Sequence, residues 1–301
     1  AKVMGIRDMT PETLASEVSD LASMPDIAIQ INNLLSDPNS SAWDIGRLIE
    51  QDPGLSAALL RIANSALYNN GIPVNAIDRA VTVVGTREVR DLAFGVCAVE
   101  AFDGISNQLI TMEDFWYHSL RTAAAARAIE KIGRKRSGGS MFIAGLLHDI
   151  GQLVMFSRRP EQSEEALKLS VDRDDGRSTF NSEHEVFGFD HTEVGAALAT
   201  QWGLPAYVID AIRFHHQPFS HGMDDEEQAN RIEVVASIVH LANAAAIIGE
   251  VESTSLDDGP ALHEGVLEKL NLTVDDLPEI LSVSADTVDE LLRVFVPANA
   301  A

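Results

Sequence analysis

Cysteine is almost absent from this 301-residue chain, which contains Cys97 and no other. A single cysteine excludes an internal disulfide and suits a reducing compartment, so we expect a cytoplasmic protein in which Cys97 is a packing residue. The chain also lacks an apolar run of about 20 residues, the length that spans a bilayer, and it lacks the charged-then-apolar start of a signal peptide. Neither a membrane span nor a signal peptide is therefore predicted.

Basic residues are scarce too. Lysine and arginine number 22 against 46 aspartates and glutamates, which gives a formal net charge of −24. The negative electrostatic potential of such a protein repels nucleic acid and anionic membranes. We therefore expect neither direct nucleic-acid binding nor membrane binding.

Strand patterns are missing as well, since apolar residues recur at helical spacing along almost the whole chain. Capping residues precede several of these segments and predict helix starts at Thr10, Ser41, Thr111 and Thr273. The sequence therefore predicts an all-α fold.

Histidine is unevenly distributed. Residues 10–105 contain none, whereas residues 112–245 contain eight of the nine. This change in composition predicts a boundary within residues 103–108. The expected segments are an N-terminal helical bundle in residues 1–105, a histidine-bearing helical domain in residues 106–250 and a C-terminal helical extension in residues 251–301.

An adjacent histidine and aspartate, His148 and Asp149, lie inside the apolar run MFIAGLLHDIGQLVMF. Burying an ionisable pair is costly unless the pair is matched or bound to metal. Further histidines fall within or beside other predicted helices, and metal-dependent phosphoester hydrolysis needs such nitrogen and carboxylate ligands. The set therefore predicts a metal site. Its candidate ligands are His118, His148, Asp149, His191, His215 and His216.

Other polar residues admit two interpretations. Glu185 and Asp190, which come shortly before His191, either orient this histidine from behind or are ordinary helix-start residues. Asn64 and Ser65, inside LLRIANSALY, form either a buried hydrogen-bonded brace, which we favour, or a binding feature. The tryptophans Trp43, Trp116 and Trp202 are expected to be core anchors. The alternative for Trp116 is that it walls a pocket together with Tyr117 beside His118.

Several segments carry a recognisable pattern, namely Asp52-Pro53 and Leu55 before the run LLRIANSALY, then AGLLHDIGQL, EVFGFDHTEVGAALATQWGLP and IRFHHQP. Over residues 15–250 the chain resembles the HDOD family, the HD-related output domains of bacterial signalling. The resemblance implies an N-terminal helical bundle packed on a helical domain similar to HD phosphohydrolases.

The same resemblance implies a metal-ligand set. All six candidate ligands match ligands of related HD and HD-GYP hydrolases, with His148 and Asp149 as the catalytic pair. They would hold one or two divalent ions, of iron, manganese or zinc. Asn243 stands where those enzymes have an aspartate, which makes it a weak ligand; Gln152 replaces the HD-GYP lysine, and no GYP motif follows His216. These departures argue against cleavage of cyclic di-GMP in the HD-GYP manner.

Two functions from different classes follow. In the first, the protein is a bacterial signal-transduction output or regulatory module with a metal-binding pocket, and it relays a signal to a protein partner. In the second, it is a metal-dependent phosphohydrolase that acts on a phosphoester or nucleotide, a phosphate-containing small ligand. Asn243 and Gln152 favour the first function, and the retained histidines favour the second.

Overall fold

The computed structural model describes residues 9–19, 26–36, 40–65, 68, 71–102, 108–135, 141–172, 179–219 and 222–296. Within these residues the chain forms sixteen α-helices, two short 3₁₀ helices and no β-strand, which confirms the all-α prediction. The α-helices are α1 Pro11–Ser19, α2 Asp26–Ser36, α3 Ala42–Ile49, α4 Pro53–Asn64, α5 Ile77–Val84, α6 Thr86–Ala101, α7 Met112–Ile132, α8 Met141–Leu147, α9 Ile150–Arg158, α10 Pro160–Asp172, α11 Thr179–Phe187, α12 His191–Gln201, α13 Ala206–Phe214, α14 Glu226–Glu250, α15 Val266–Leu270 and α16 Leu277–Phe295.

Helix starts follow the predicted caps. The Ser41 hydroxyl, just before α3, accepts a hydrogen bond from the Asp44 N–H, and the Asp44 carboxylate accepts one from the Ser41 N–H. Thr111 caps α7 through its hydroxyl, which accepts from the N–H of Asp114 at 3.0 Å. This cap fixes where α7 begins and so sets the position of His118 near the start of that helix.

The central element is α7, which packs against α8, α14 and α16. The run Ala123–Ala126 on α7 is fully buried. Gly145 of α8 lies directly against this run, because a β-carbon on Gly145 would be 2.8 Å from the Ala123 Cα. The small residues let α7 and α8 approach closely, and the rings of His118 and His148 consequently lie 5.3 Å apart.

Helix α14 is the longest helix described. By length and composition it could cross a membrane, but 72% of its most apolar window is buried inside the fold. It packs against α7, α8 and α13. A helix that is apolar on most sides and covered by other helices is a core helix of a globular domain.

The helices at both ends of the chain pack on its middle. α1 contacts α9 and α12, and the Arg159 guanidinium donates to the Glu17 carboxylate at 2.7 and 3.0 Å. At the other end, α16 packs on α4 and α7, and the rings of Phe142 and Phe295 lie 5.8 Å apart. The predicted boundary within residues 103–108 falls almost entirely outside the described residues.

Asn64 and Ser65 brace the N-terminal helices. The Asn64 amide donates to the carbonyls of Leu60 and Val74 at 2.7 and 2.8 Å, and its oxygen accepts from the Val74 N–H at 2.8 Å. The Ser65 hydroxyl donates to the Ile62 carbonyl at 2.7 Å. Both side chains bond to nearby backbone, which matches the brace interpretation.

The prediction for Trp43 is wrong, because this side chain is 62% exposed. It lies on the solvent side of α3, where the Arg47 guanidinium stacks over its ring at 5.3 Å. Trp116 and Trp202 are buried as expected, and so is Cys97.

Candidate metal centre

The six predicted ligands converge although they come from four parts of the chain. His118 lies on α7, His148 and Asp149 form the turn between α8 and α9, His191 is the first residue of α12, and His215 and His216 directly follow α13. Their ligand atoms form two groups, within each of which all atoms lie within 4.8 Å of one another. Asp149 belongs to both groups.

A capping box places His191. The Asp190 carboxylate accepts hydrogen bonds from the N–H groups of Thr192 and Glu193 at 2.8 and 3.3 Å, and the Glu193 carboxylate accepts from the Asp190 N–H at 3.1 Å. This box starts α12 at His191. Asp190 is therefore a helix cap, which decides between its two interpretations.

A close helix contact places Asp149 against His191. At Gly151, in the first turn of α9, a β-carbon would lie 2.0 Å from the His191 carbonyl oxygen and 2.7 Å from the Gly195 nitrogen. Only glycine allows α9 and α12 to come this close. Because Asp149 immediately precedes α9, the contact holds its carboxylate beside the start of α12.

The two oxygens of Asp149 face different histidines. Oδ1 lies 3.2 Å from His191 Nε2 and 3.5 Å from His215 Nε2. Oδ2 lies 3.2 Å from His148 Nε2 and 4.0 Å from His118 Nε2. The carboxylate therefore stands between two pairs of imidazoles and faces each pair with a different oxygen.

His216 joins the cluster through His191. The Nε2 atoms of these two rings lie 3.1 Å apart. Phe180, on α11, stacks on the His216 ring with 10° between the planes and 5.0 Å between the centroids. Two Nε2 atoms that face each other need a proton or a metal ion between them, since two lone pairs repel.

Backbone carbonyls determine which ring nitrogen carries the proton in two of the candidate ligands. His148 Nδ1 lies 2.9 Å from the Gly145 carbonyl oxygen, and His215 Nδ1 lies 2.8 Å from the Ile212 carbonyl oxygen. A carbonyl oxygen can only accept, so each Nδ1 carries the proton and donates it. The Nε2 of each ring, which faces Asp149, is then the nitrogen available to bind a metal ion.

Carboxylates fix two further ligands in the same way. His191 Nδ1 donates to Glu183 at 2.6 Å, and the same carboxylate accepts from the His191 N–H at 3.0 Å. His118 Nδ1 donates to Glu250 at 2.8 Å. Carboxylates behind ligand histidines hold the ring orientation and raise the basicity of the other nitrogen.

Sequence reasoning missed Glu183 and Glu250. Glu185, suggested for the first role, is exposed, whereas Glu183 is buried. Glu183 is four residues before the buried Phe187 and therefore shares its helix face, a signal that would have found it. Glu250 is seven residues after Asn243 and likewise shares its face of α14.

The cluster is deeply buried. His148 and His215 have no exposed surface, and Asp149 is 8% exposed. Within the part of the chain that the structure describes, Asp149 Oδ1 and the Nε2 atoms of His148 and His215 have no partner with hydrogen-bond geometry. Buried polar atoms are rarely left without a partner, so these atoms fit a bound cation.

Electrostatics keeps the carboxylate ionised. Burial opposes the charge on Asp149, but His148, together with His191 and His215, holds its pKa well below the usual range. Burial also opposes protonation of His191, yet Glu183 and Asp149 raise its pKa well above the usual range. The site therefore attracts positive charge, which protons supply when metal does not.

Asn243 lies at the His118 side of the cluster. Its Oδ1 is buried and, among the described residues, meets no donor with hydrogen-bond geometry. Burial opposes protonation of His118, but Glu250, Asp149 and Asn243 together raise its pKa. The role of Asn243 as a weak metal ligand stays a prediction.

Removing the charge of Glu183 should weaken metal binding. We expect Glu183→Gln to lower the affinity for Zn²⁺ or Mn²⁺ by roughly 10- to 100-fold, because His191 loses the carboxylate that orients it. Titration of chelator-treated protein with each ion measures this. Glu185→Gln, the same change on an exposed residue of the same helix, should leave the affinity unchanged; an equal loss in both variants would contradict the assignment.

The sequence model of the HDOD domain family matches residues 21–218 of this chain. An uncharacterized protein of Treponema pallidum (strain Nichols) is 30% identical over 205 residues, which are 68% of this chain and 39% of that protein. The chain thus spans about two fifths of the length of this relative. The family match includes all six predicted ligands and ends before Asn243.

Solved structures have the same fold. An HDOD domain protein from Geobacter sulfurreducens superposes with a TM-score of 0.70 at 24% identity, covering 94% of this chain and 97% of that one. A candidate phosphohydrolase from Shewanella amazonensis SB2B has a TM-score of 0.70 at 23% identity, covering 97% and 100%. A candidate signal transduction protein from Marinobacter aquaeolei VT8 has a TM-score of 0.67 at 21% identity, covering 95% and 66%.

Proposed function

Because this chain belongs to the HDOD domain family, we propose that it is a regulatory module of bacterial signal transduction whose HD-like pocket holds one or two divalent metal ions. The observation that best supports a bound metal ion is the common orientation of four imidazoles. Each has its Nδ1 bonded to an acceptor and its Nε2 directed at Asp149. Metal ligation would explain this pattern, because a ligand histidine typically donates its other ring N–H to an acceptor while the remaining nitrogen binds the ion.

The charges of the site also fit a cation. Three carboxylates, Asp149, Glu183 and Glu250, contact histidines that are neutral when they act as ligands. One or two divalent ions would balance this negative charge in the buried pocket. Mixed imidazole and carboxylate ligands suit iron, manganese and zinc.

Regulation fits the pocket better than phosphoester hydrolysis does. The side chains of His118 and Glu250 are 20% and 32% exposed, so the cluster is open to solvent beside them. A carboxylate at this opening repels phosphate, and neither Gln152 nor Asn243 brings a positive charge. The proposed output is a protein partner, and a phosphate-containing ligand is the second kind of molecule to consider.

Phosphoester hydrolysis is the second candidate function, and it is favoured by the solvent exposure of one side of the cluster. The Asp149 side chain is 11% exposed and that of His118 is 20% exposed, so neither side chain is completely sealed from solvent. A divalent ion bound there would supply a Lewis acid for a phosphate oxygen. His118, His148 and Asp149, whose ligand atoms lie within 4.8 Å of one another, would hold and orient that ion.

Turnover separates the two candidates. The protein is loaded with Mn²⁺, Fe²⁺ or Zn²⁺ and assayed with bis(p-nitrophenyl) phosphate, beside a variant carrying His148→Ala and Asp149→Ala. For a regulatory module we expect metal-dependent thermal stabilisation and no more product than the double variant gives. Metal-dependent turnover that the double variant loses would show a hydrolase instead.

Restoring a carboxylate at Asn243 should strengthen metal binding. We expect Asn243→Asp to raise the affinity for Mn²⁺ about tenfold, or about 1.4 kcal/mol, because a charged oxygen replaces a neutral one. Asn230→Asp adds the same charge to the exposed end of α14 and should have little effect. Unchanged affinity in Asn243→Asp would place residue 243 outside the coordination shell.

A further inference from the structure

His240, on α14, bonds to the metal centre without belonging to the ligand set. Its Nδ1 lies 2.6 Å from the His215 carbonyl oxygen, and its Nε2 lies 3.0 Å from the His263 backbone nitrogen. A backbone N–H can only donate, so Nε2 carries no proton and Nδ1 carries it. One side chain therefore joins the carbonyl of a predicted ligand to the backbone of a distant segment.

The bond at the His215 end acts on two ligands. His215 ends α13, where the last carbonyls of a helix have no partner within the helix. The carbonyl that His240 holds belongs to the peptide that joins His215 to His216. Holding this peptide fixes the direction in which both imidazoles leave the backbone.

The other end lies in residues 256–265, which begin with the 3₁₀ turn Leu256–Asp258 and end just before α15. The His263 ring packs edge-on against Phe219 at 5.4 Å, and Phe219 comes three residues after His216. His263 is itself exposed. The segment thus contacts the metal centre through His240 and through the chain that follows His216.

We infer that His240 is a positioning residue that couples metal occupancy of the pocket to the order of residues 256–265. This inference rests on the metal binding proposed above. Metal binding at His215 and His216 holds the peptide between them in one position. In that position the hydrogen bond from His240 to the His215 carbonyl is stronger, and the hydrogen bond from the His263 N–H to His240 is strengthened in turn. Coupling of this kind is reciprocal, so whatever holds residues 256–265 in place also tightens metal binding.

Three substitutions on α14 test the coupling. His240→Leu fills the space but removes both hydrogen bonds, whereas the His240→Gln amide offers one donor and one acceptor and should restore them. Ser237→Ala is the matched control. Ser237 lies one turn earlier, is fully buried, and its hydroxyl has no hydrogen-bond partner among the described residues.

Hydrogen exchange of the full chain is measured with and without Zn²⁺, and the exchange rate of the His263 amide reports the coupling. Metal content is measured on the same samples. We expect Zn²⁺ to slow exchange in residues 256–265 about fivefold or more in the wild type, the His240→Gln and the Ser237→Ala proteins. His240→Leu should lose this effect and bind Zn²⁺ roughly tenfold more weakly.

Two results would overturn the inference, and they are distinguishable. The first is that the wild type binds Zn²⁺ without slower hydrogen exchange, or that His240→Leu keeps the full slowing of exchange. Either observation would refute the coupling and leave the metal site intact. Absence of bound metal from the folded wild type would refute the proposed function and the coupling together. The wild-type comparison stands even where a variant fails to fold.

Discussion

Replacing Gly151 by alanine is expected to destabilise the fold by about 3 kcal/mol, the upper range for overpacking a core. The added β-carbon would lie 2.0 Å from the His191 carbonyl oxygen and 2.7 Å from the Gly195 nitrogen. Both atoms belong to the backbone, so neither can rotate aside, and α9 and α12 must separate. Because Asp149 and His191 lie at this contact, metal binding should weaken together with stability.

Gly46→Ala is the matched control for this prediction. Gly46 lies inside α3, and a β-carbon there would be 3.7 Å from the Ile77 Cγ2, an ordinary contact. Alanine is favoured over glycine within helices by roughly 0.5–1 kcal/mol, so this variant should be as stable as the wild type or more so. Urea unfolding measures both, and equal midpoints for Gly151→Ala and the wild type would contradict the close contact of α9 and α12.

Asp149→Asn should abolish metal binding at practical concentrations. Loss of a residue that hydrogen-bonds to a metal ligand lowers the metal affinity by roughly 10- to 100-fold. Because Asp149 is itself a proposed ligand, we expect its replacement to lower the affinity by at least about a hundredfold. Both carboxylate oxygens face imidazole Nε2 atoms, and the amide replaces one oxygen by an NH₂ group. That group can donate to a neighbouring Nε2, so the metal-free variant should remain folded.

Calorimetric titration with Zn²⁺ and the thermal unfolding midpoint measure this effect. A ligand present at 100 times its dissociation constant stabilises the folded state by about 2.7 kcal/mol, and the Asp149→Asn protein should lose this gain. Asp289→Asn makes the same change on the exposed face of α16 and should keep it. Equal stabilisation of both variants by Zn²⁺ would show that the ion binds elsewhere.

Local patterns in the sequence were sufficient to predict the helical fold, and together with the family resemblance they identified the six candidate ligands that the structure brings together. Apolar residues at helical spacing and capping residues act within a few positions, as at Ser41 and Thr111. The ligands followed from a histidine-aspartate pair in an apolar run and from the HDOD resemblance. The two oxygens of Asp149 face different histidines because of how four helix ends meet. Local sequence patterns could not predict this arrangement.

The errors and omissions have physical causes. Trp43 was expected in the core because tryptophan is large and apolar, but Ile45, Leu48 and Ile49 define the buried face of α3 and Trp43 lies opposite. Glu185 was considered because it is close to His191 in sequence, whereas a side chain on α11 reaches the site only from its buried face. His240 could not be found from sequence, since its partners are backbone atoms 25 and 23 residues away.

The most direct test of the account is the metal content of the protein purified without chelator, determined by plasma mass spectrometry. The protein carrying both His148→Ala and Asp149→Ala is measured beside it, with circular dichroism to show that both are folded. We expect near-stoichiometric iron, manganese or zinc in the wild type and its loss in the double variant. Absence of metal from both folded proteins, or equal metal in both, would contradict the metal centre on which the proposed function rests.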